Sequence, residues 1–214
     1  MLPLAAFFTA MLVLLNLTGL VTKARIEAWL EAAKDVSPAL AAGVVIALLF
    51  ADLFVAVPTL TVMLVAGYLI GFGPAAVASV VGLYLAGICG YTLSRRYGES
   101  LVKRIVRDEG QRAEMNDAFR THGVPMILLS RALPMLPEMT ACLAGLTRMK
   151  FGRFLLAWSG SVVPYVLIAT YAGSKSSLDN PLPAVGAAVG LAACFGIGWL
   201  VFKKTAMTPT VAQP

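Results

Sequence analysis

Between Val124 and Thr147 runs an apolar stretch that carries Arg131, Pro134, Pro137 and Glu138 at its middle. No continuous helix accommodates that pattern, because each proline removes a backbone donor and clashes with the preceding turn. Broken backbone at membrane depth persists only where protein buries it or where it lines a wet cavity. The stretch is therefore expected to be a re-entrant hairpin, 124–147, with its charged residues enclosed. A second apolar stretch, 58–73, opens on Pro58 and carries Gly67, Gly71 and Gly73 near its end. It is too short to cross a bilayer and reads as a second re-entrant hairpin.

Composition places both stretches in a membrane. The 214 residues are 59% hydrophobic and only 13% charged, and the mean hydropathy is +0.82. A soluble domain carries about twice that share of charge, and disorder requires low hydrophobicity. Both are excluded. The chain reads as a single membrane domain, 1–214.

A helix needs about 20 apolar residues to cross the hydrocarbon. Stretches 4–22, 74–94, 154–173 and 182–202 meet that requirement, and 39–57 meets it with one charge inside, Asp52. No Lys or Arg precedes the first stretch and no Ala-x-Ala exit follows it, so it reads as a retained span rather than a signal peptide. In 23–36, Ile26, Trp29, Leu30 and Ala33 form one apolar face against a charged one, the pattern of an amphipathic helix lying in the interface. Glu99 to Thr121 is markedly polar and reads as one or two surface helices. The expected fold is an all-α polytopic membrane protein of about five transmembrane helices, with two re-entrant helical hairpins in an inverted repeat and an interfacial amphipathic helix.

The net charge of +6 is read through topology rather than nucleic acid, since basic loops mark the cytoplasmic side of membrane spans. Arg95, Arg96, Lys103, Arg104, Arg107, Arg112 and Arg120 cluster in 95–120. Arg148, Lys150 and Arg153 follow the second hairpin, and Lys203 and Lys204 follow the last apolar stretch. Placing all three groups inside puts the C-terminus in the cytoplasm and the N-terminus outside. The compact length points to a bacterial inner membrane.

The two hairpins resemble each other. Pro58-Thr-Leu-Thr-Val-Met-Leu-Val-Ala-Gly67 and Pro137-Glu-Met-Thr-Ala-Cys-Leu-Ala-Gly145 share Pro, Thr, Leu and Ala-Gly at an offset of 78 or 79 residues. Phe72-Gly73 matches Phe151-Gly152 at 79, and an apolar span follows each. The charge count gives those spans opposite directions, hence an inverted repeat. That architecture is common in secondary transporters, whose sites lie where the broken elements meet.

Asp52, Arg131 and Glu138 are the intramembrane charges, and such residues are functional candidates by default. Arg131 offers a bidentate fork for phosphate or carboxylate. Asp52 and Glu138 are candidate proton carriers, or partners that lock Arg131. Pro58, Pro134, Pro137, Gly67 and Gly145 complete the candidate transport set. Cys89, Cys142 and Cys194 are far apart without a CxxC, and His122 is a lone histidine. No metal site, cofactor or disulfide framework is expected. No nucleophile–base pair or phosphate loop is present, so the chain is not read as an enzyme.

Ser130-Arg131-Ala-Leu-Pro134-Met-Leu-Pro137, followed by Ala144-Gly145-Leu-Thr147-Arg148-Met-Lys-Phe151, resembles the hallmark stretch of the DedA family, also called the VTT or SNARE-associated domain. Pro58, Ala66-Gly67-Tyr-Leu-Ile-Gly71-Phe72-Gly73 and Tyr91-Thr-Leu-Ser94-Arg95-Arg96-Tyr97-Gly98 resemble its N-terminal half. The resemblance covers about residues 40–175. It implies two re-entrant hairpins and lipid translocation, either polyprenyl-phosphate flipping or phospholipid scrambling, with proton coupling proposed for bacterial members. Asp52 stands at the family's first acidic position and Arg131 at its first arginine. The bacterial pattern has a second acid where this chain has Pro58-Thr59-Leu60-Thr61, and a second arginine where it has Pro137-Glu138. The chain is thus closer to the eukaryote-like branch.

The expected partners are an anionic lipid or lipid phosphate, the bilayer and a proton; a homo-oligomer is compatible with this reading and nucleic acid is not. Two other functions fit the same pattern. One is secondary transport of a small ion or solute, and the other is a non-transporting membrane scaffold or assembly factor.

Overall fold

A computed structural model describes residues 37–54, 57–105, 109–132, 136–177 and 182–206. The expected span at 4–22, the amphipathic helix at 23–36 and Pro134 lie outside the described residues. Of a first compact unit, Met1–Ala41, only 37–41 are described; the second unit, Ala42–Pro214, holds everything that follows.

The described residues form seven α-helices and no strand. They are α1 (Pro38–Ala51), α2 (Thr59–Ile70), α3 (Phe72–Ile105), α4 (Glu109–Leu129), α5 (Leu136–Leu146), α6 (Phe151–Lys175) and α7 (Leu182–Ala206), with a 3-10 turn, Ser130–Ala132, between α4 and α5. Two are long and apolar enough to cross a membrane: 27 residues of α3, Phe72–Gly98, and the 25 residues of α6. They match the spans expected at 74–94 and 154–173. Within α7 the shorter apolar helix Leu182–Gly198 falls inside the expected 182–202 stretch. Large apolar side chains point outward along these helices, including Val77, Leu85, Leu156 at 78% exposure, Ile168 and Val189. A soluble protein rarely exposes so many large apolar side chains.

The first broken element differs from expectation. Stretch 58–73 is not a hairpin by itself; it holds one unbroken helix, α2, and then the turn into α3. Nor is 39–57 a span, because α1 ends at Ala51. The break lies between Asp52 and Pro58, so α1 and α2 are the two limbs. The physical cause is local. Pro58 has no N–H to continue a ladder, and the Asp52 carboxylate accepts the Val57 backbone N–H at 2.8 Å, satisfying a donor that the broken helix would leave orphaned. The second break falls inside the expected 124–147 stretch, but its first limb starts at Glu109, within the stretch read as separate surface helices. α4 runs through Pro125 to Leu129, the 3-10 turn carries Arg131, and α5 restarts at Leu136. Gly71, with φ of +79°, makes the sharp turn from α2 into α3, a conformation that costs glycine nothing.

The core is built on α6. Phe154, Trp158, Val162, Val166 and Ala169 are buried at helical spacing, and α6 packs against α2, α3, α4 and α7. Helix contacts repeat through the chain. A Cβ on Gly67 of α2 would strike the Thr170 carbonyl oxygen and approach the Ser174 amide of α6. A Cβ on Gly145 of α5 would strike the Tyr91 carbonyl oxygen and approach the Arg95 amide of α3. Gly67 and Gly145 are 78 positions apart, and the two contacted pairs are each 79 apart. The α1–α3 contact at Leu49 and Gly82 recurs between α4 and α6 at Leu128 and Gly160. The second limb of each broken element therefore rests on the long helix that follows the other one. Glycine at the contact lets two backbones touch, as in membrane helix packing.

Candidate functional site

Asp52 stands six residues before Pro58, and Arg131 stands six before Pro137. The repeat thus puts an acid and a base at equivalent breaks. Thr59 and Glu138, each following its proline, are equivalent in the same way. The structure brings all four side chains into one site. Arg131 lies within electrostatic range of Asp52, Glu138 and Tyr165. The Asp52 and Glu138 carboxyl groups are within hydrogen-bond reach of each other. The Tyr165 hydroxyl reaches the Thr59 side chain.

Two aromatic rings of α6 hold the guanidinium. Its carbon sits 5.5 Å from the Trp158 ring centre and 5.1 Å from the Tyr165 ring centre, within the range of attraction between a cation and a π face. Trp158 and Tyr165 are seven residues apart, two turns along one face. Trp158 is fixed from behind: its Nε1–H donates to the Leu83 carbonyl at 3.3 Å, and its ring lies against Gly87.

Arg131 is half-buried as a residue, yet its Nε and Nη2 are buried and have no hydrogen-bond partner among the described residues. These two atoms carry the parallel N–H groups of one edge of the guanidinium, the edge that grips an oxyanion in bidentate fashion. A buried guanidinium with unmade hydrogen bonds costs several kcal/mol. The nearby carboxylates supply charge and leave this edge unengaged, so they do not lock the arginine fully. The arrangement is a buried charged fork, braced by aromatic walls, with the chemistry to take an oxyanion and two carboxyl groups beside it.

The expected residues divide into two sets. Asp52, Arg131 and Glu138 converge. Pro58 and Pro137 sit at the starts of the helices that present the site. Gly67 and Gly145 lie elsewhere, at the helix contacts described above. Pro134 is outside the described residues. Sequence reasoning missed Thr59, Trp158 and Tyr165. The signal for the last two was a pair of aromatics seven apart inside an apolar helix, and Thr59 was legible as the repeat equivalent of Glu138.

The VTT-domain family model matches residues 57–175, more than half of the chain. The chain belongs to the VTT-domain, or DedA, family. The match takes in α2 to α6 together with Arg131 and Glu138, and stops short of Asp52. This is a membrane protein of the DedA family. Neither a curated protein nor a solved structure matches the chain.

Proposed function

We propose that this DedA-family protein moves an anionic lipid, a phospholipid or a polyprenyl phosphate, between the leaflets of a membrane. The observation that carries the reading is the Nε–Nη2 edge of Arg131, buried beside Trp158 and Tyr165 and without a hydrogen-bond partner among the described residues. A phosphate group on that edge would supply the missing hydrogen bonds. Asp52 and Glu138 balance the arginine in the empty site and exchange a proton during transport. No covalent step is involved, and the protein is not an enzyme on this reading.

The two helix-break-helix elements, α1–α2 and α4–α5, are re-entrant hairpins entering from opposite faces. The basic segments set the C-terminus in the cytoplasm, and the membrane is a bacterial inner membrane. On this reading, rocking one sequence repeat against the other is disfavoured as the source of alternating exposure. That motion would pull Gly67 from α6 and Gly145 from α3. The moving bodies are the exchanged pairs, α2 with α6 and α3 with α5.

The test is leaflet exchange of a labelled anionic phospholipid and a labelled polyprenyl phosphate in proteoliposomes. Wild type should exchange at least one of them. Arg131→Ala and Arg131→Lys should both lose exchange while inserting normally, because lysine lacks the planar fork. Full exchange by Arg131→Ala would refute the site. No exchange of either lipid by folded wild type would favour a small-solute transporter or a scaffold.

A further inference from the structure

Ser161 is 1% exposed, and its hydroxyl has no hydrogen-bond partner among the described residues. Its neighbours in α6 behave differently. Ser159 donates to the Leu155 carbonyl, Thr170 to Val166 and Ser174 to Tyr171, the usual way a helix satisfies a hydroxyl away from water. Ser161 lies three residues after Trp158 and four before Tyr165. Those spacings put it on the same stripe of α6, between the two rings that flank Arg131. One helix face therefore carries both walls of the arginine site and, between them, a buried donor that its own helix leaves unused. An unmade hydrogen bond of this kind is costly, and Ser161 shares its stripe of α6 with the rings that flank the Arg131 fork, whose own donors are also without a partner among the described residues.

We infer that Ser161 is a binding residue, donating a third hydrogen bond to a tetrahedral oxyanion held on the Arg131 fork. The inference rests on the proposed phosphate site at Arg131 and adds a selectivity to it. A planar carboxylate on the fork holds both oxygens in the guanidinium plane and has no third oxygen to direct at Ser161. A phosphate keeps a further oxygen for Ser161. The site thus takes phosphate in preference to carboxylate, and the serine sets the preference.

Titration calorimetry of the full-length protein in detergent, with hexyl phosphate, hexanoate and inorganic phosphate as probes, tests this. Wild type should bind hexyl phosphate more tightly than hexanoate. Ser161→Ala should weaken hexyl phosphate about tenfold, the loss of one hydrogen bond to a charged group, and leave hexanoate within about twofold of wild type. Its unfolding temperature without ligand should match or exceed wild type; if the alanine variant does not fold, Ser161→Cys, of similar size and a weak donor, carries the same comparison. Unchanged phosphate binding by Ser161→Ala, or an equal loss for both hexyl probes, overturns the role of Ser161 while a loss of phosphate binding in Arg131→Ala leaves the arginine site standing. Phosphate binding that survives Arg131→Ala overturns the site itself. Inorganic phosphate binding as tightly as hexyl phosphate identifies a free anion, not a lipid headgroup, as the source and overturns the lipid reading.

Discussion

The Tyr165 ring centre lies 5.1 Å from the Arg131 guanidinium carbon, and the Tyr165 hydroxyl reaches Thr59 at the start of α2. One side chain of α6 therefore contacts the arginine of one break and the threonine beside the other. The ring lies over the fork, and the hydroxyl lies close to Thr59 of the other broken element.

Those two roles separate by substitution. Tyr165→Phe keeps the ring and should retain leaflet exchange within about threefold, the value of one modest hydrogen bond. Tyr165→Leu removes the face that holds the guanidinium and should lower exchange about tenfold, since a desolvated cation–π contact is worth ~1–2 kcal/mol. Exchange rates in proteoliposomes at matched protein density read the difference. Equal loss in both variants would assign the effect to the hydroxyl instead.

Asp52 also has two roles, one structural and one electrostatic. Its Oδ1 accepts the Val57 N–H, and its charge faces Arg131. Asparagine preserves the acceptor and removes the charge. Asp52→Asn should keep the unfolding temperature and lose transport. Asp52→Ala should lose transport and also about 1 kcal/mol of stability, the usual cost of removing one such hydrogen bond. Thermal unfolding in detergent, set beside the transport rate, checks both. A stable, fully active Asp52→Asn would remove the charge from the mechanism.

The glycine contacts predict failures of folding. At Gly67 and Gly145 an added side chain meets backbone atoms, which cannot turn aside. Gly67→Leu and Gly145→Leu should each yield little folded protein, by the several kcal/mol that overpacking against a rigid backbone costs. Gly73→Ala, where an added Cβ meets nothing within 4 Å, should be tolerated. Size-exclusion profiles of the three variants report the outcome.

The sequence revealed the charges and the breaks because each is a chemical misfit in its surroundings. Arg131, Glu138 and Asp52 are ionisable groups in apolar runs, and the prolines forbid a continuous helix. The first hairpin was misplaced because Asp52 and Pro58 were assigned to different elements. The hydrogen bond from Val57 to Asp52 joins them into one turn, and that bond depends on side-chain geometry. The exchange of partners between repeats was hidden, since Gly67 and Gly145 mark close contacts without saying with what. Arg95 was read as a topology marker. In the structure it donates to the Tyr91 hydroxyl and, at 3.0 Å, to the Met149 carbonyl, closing the turn between α5 and α6 onto α3.

The Asp52–Glu138 pair makes the last prediction. Carboxyl groups within hydrogen-bond reach of each other can bond only when one of them carries a proton, since two carboxylates offer acceptors alone. Among the described residues, Arg131 and Tyr165 are the other ionisable groups facing the pair. The break before α2 and the start of α5 thus meet at two carboxyl groups beside one arginine, and substrate arriving at Arg131 should compete with them for its charge. Transport by wild type should depend on pH across the range in which that proton leaves. Glu138→Gln keeps an amide donor to Asp52 at every pH, so it should retain folding and flatten the profile. A Glu138→Gln profile that follows wild type would dismiss Glu138 as the proton carrier and leave the oxyanion site at Arg131 intact.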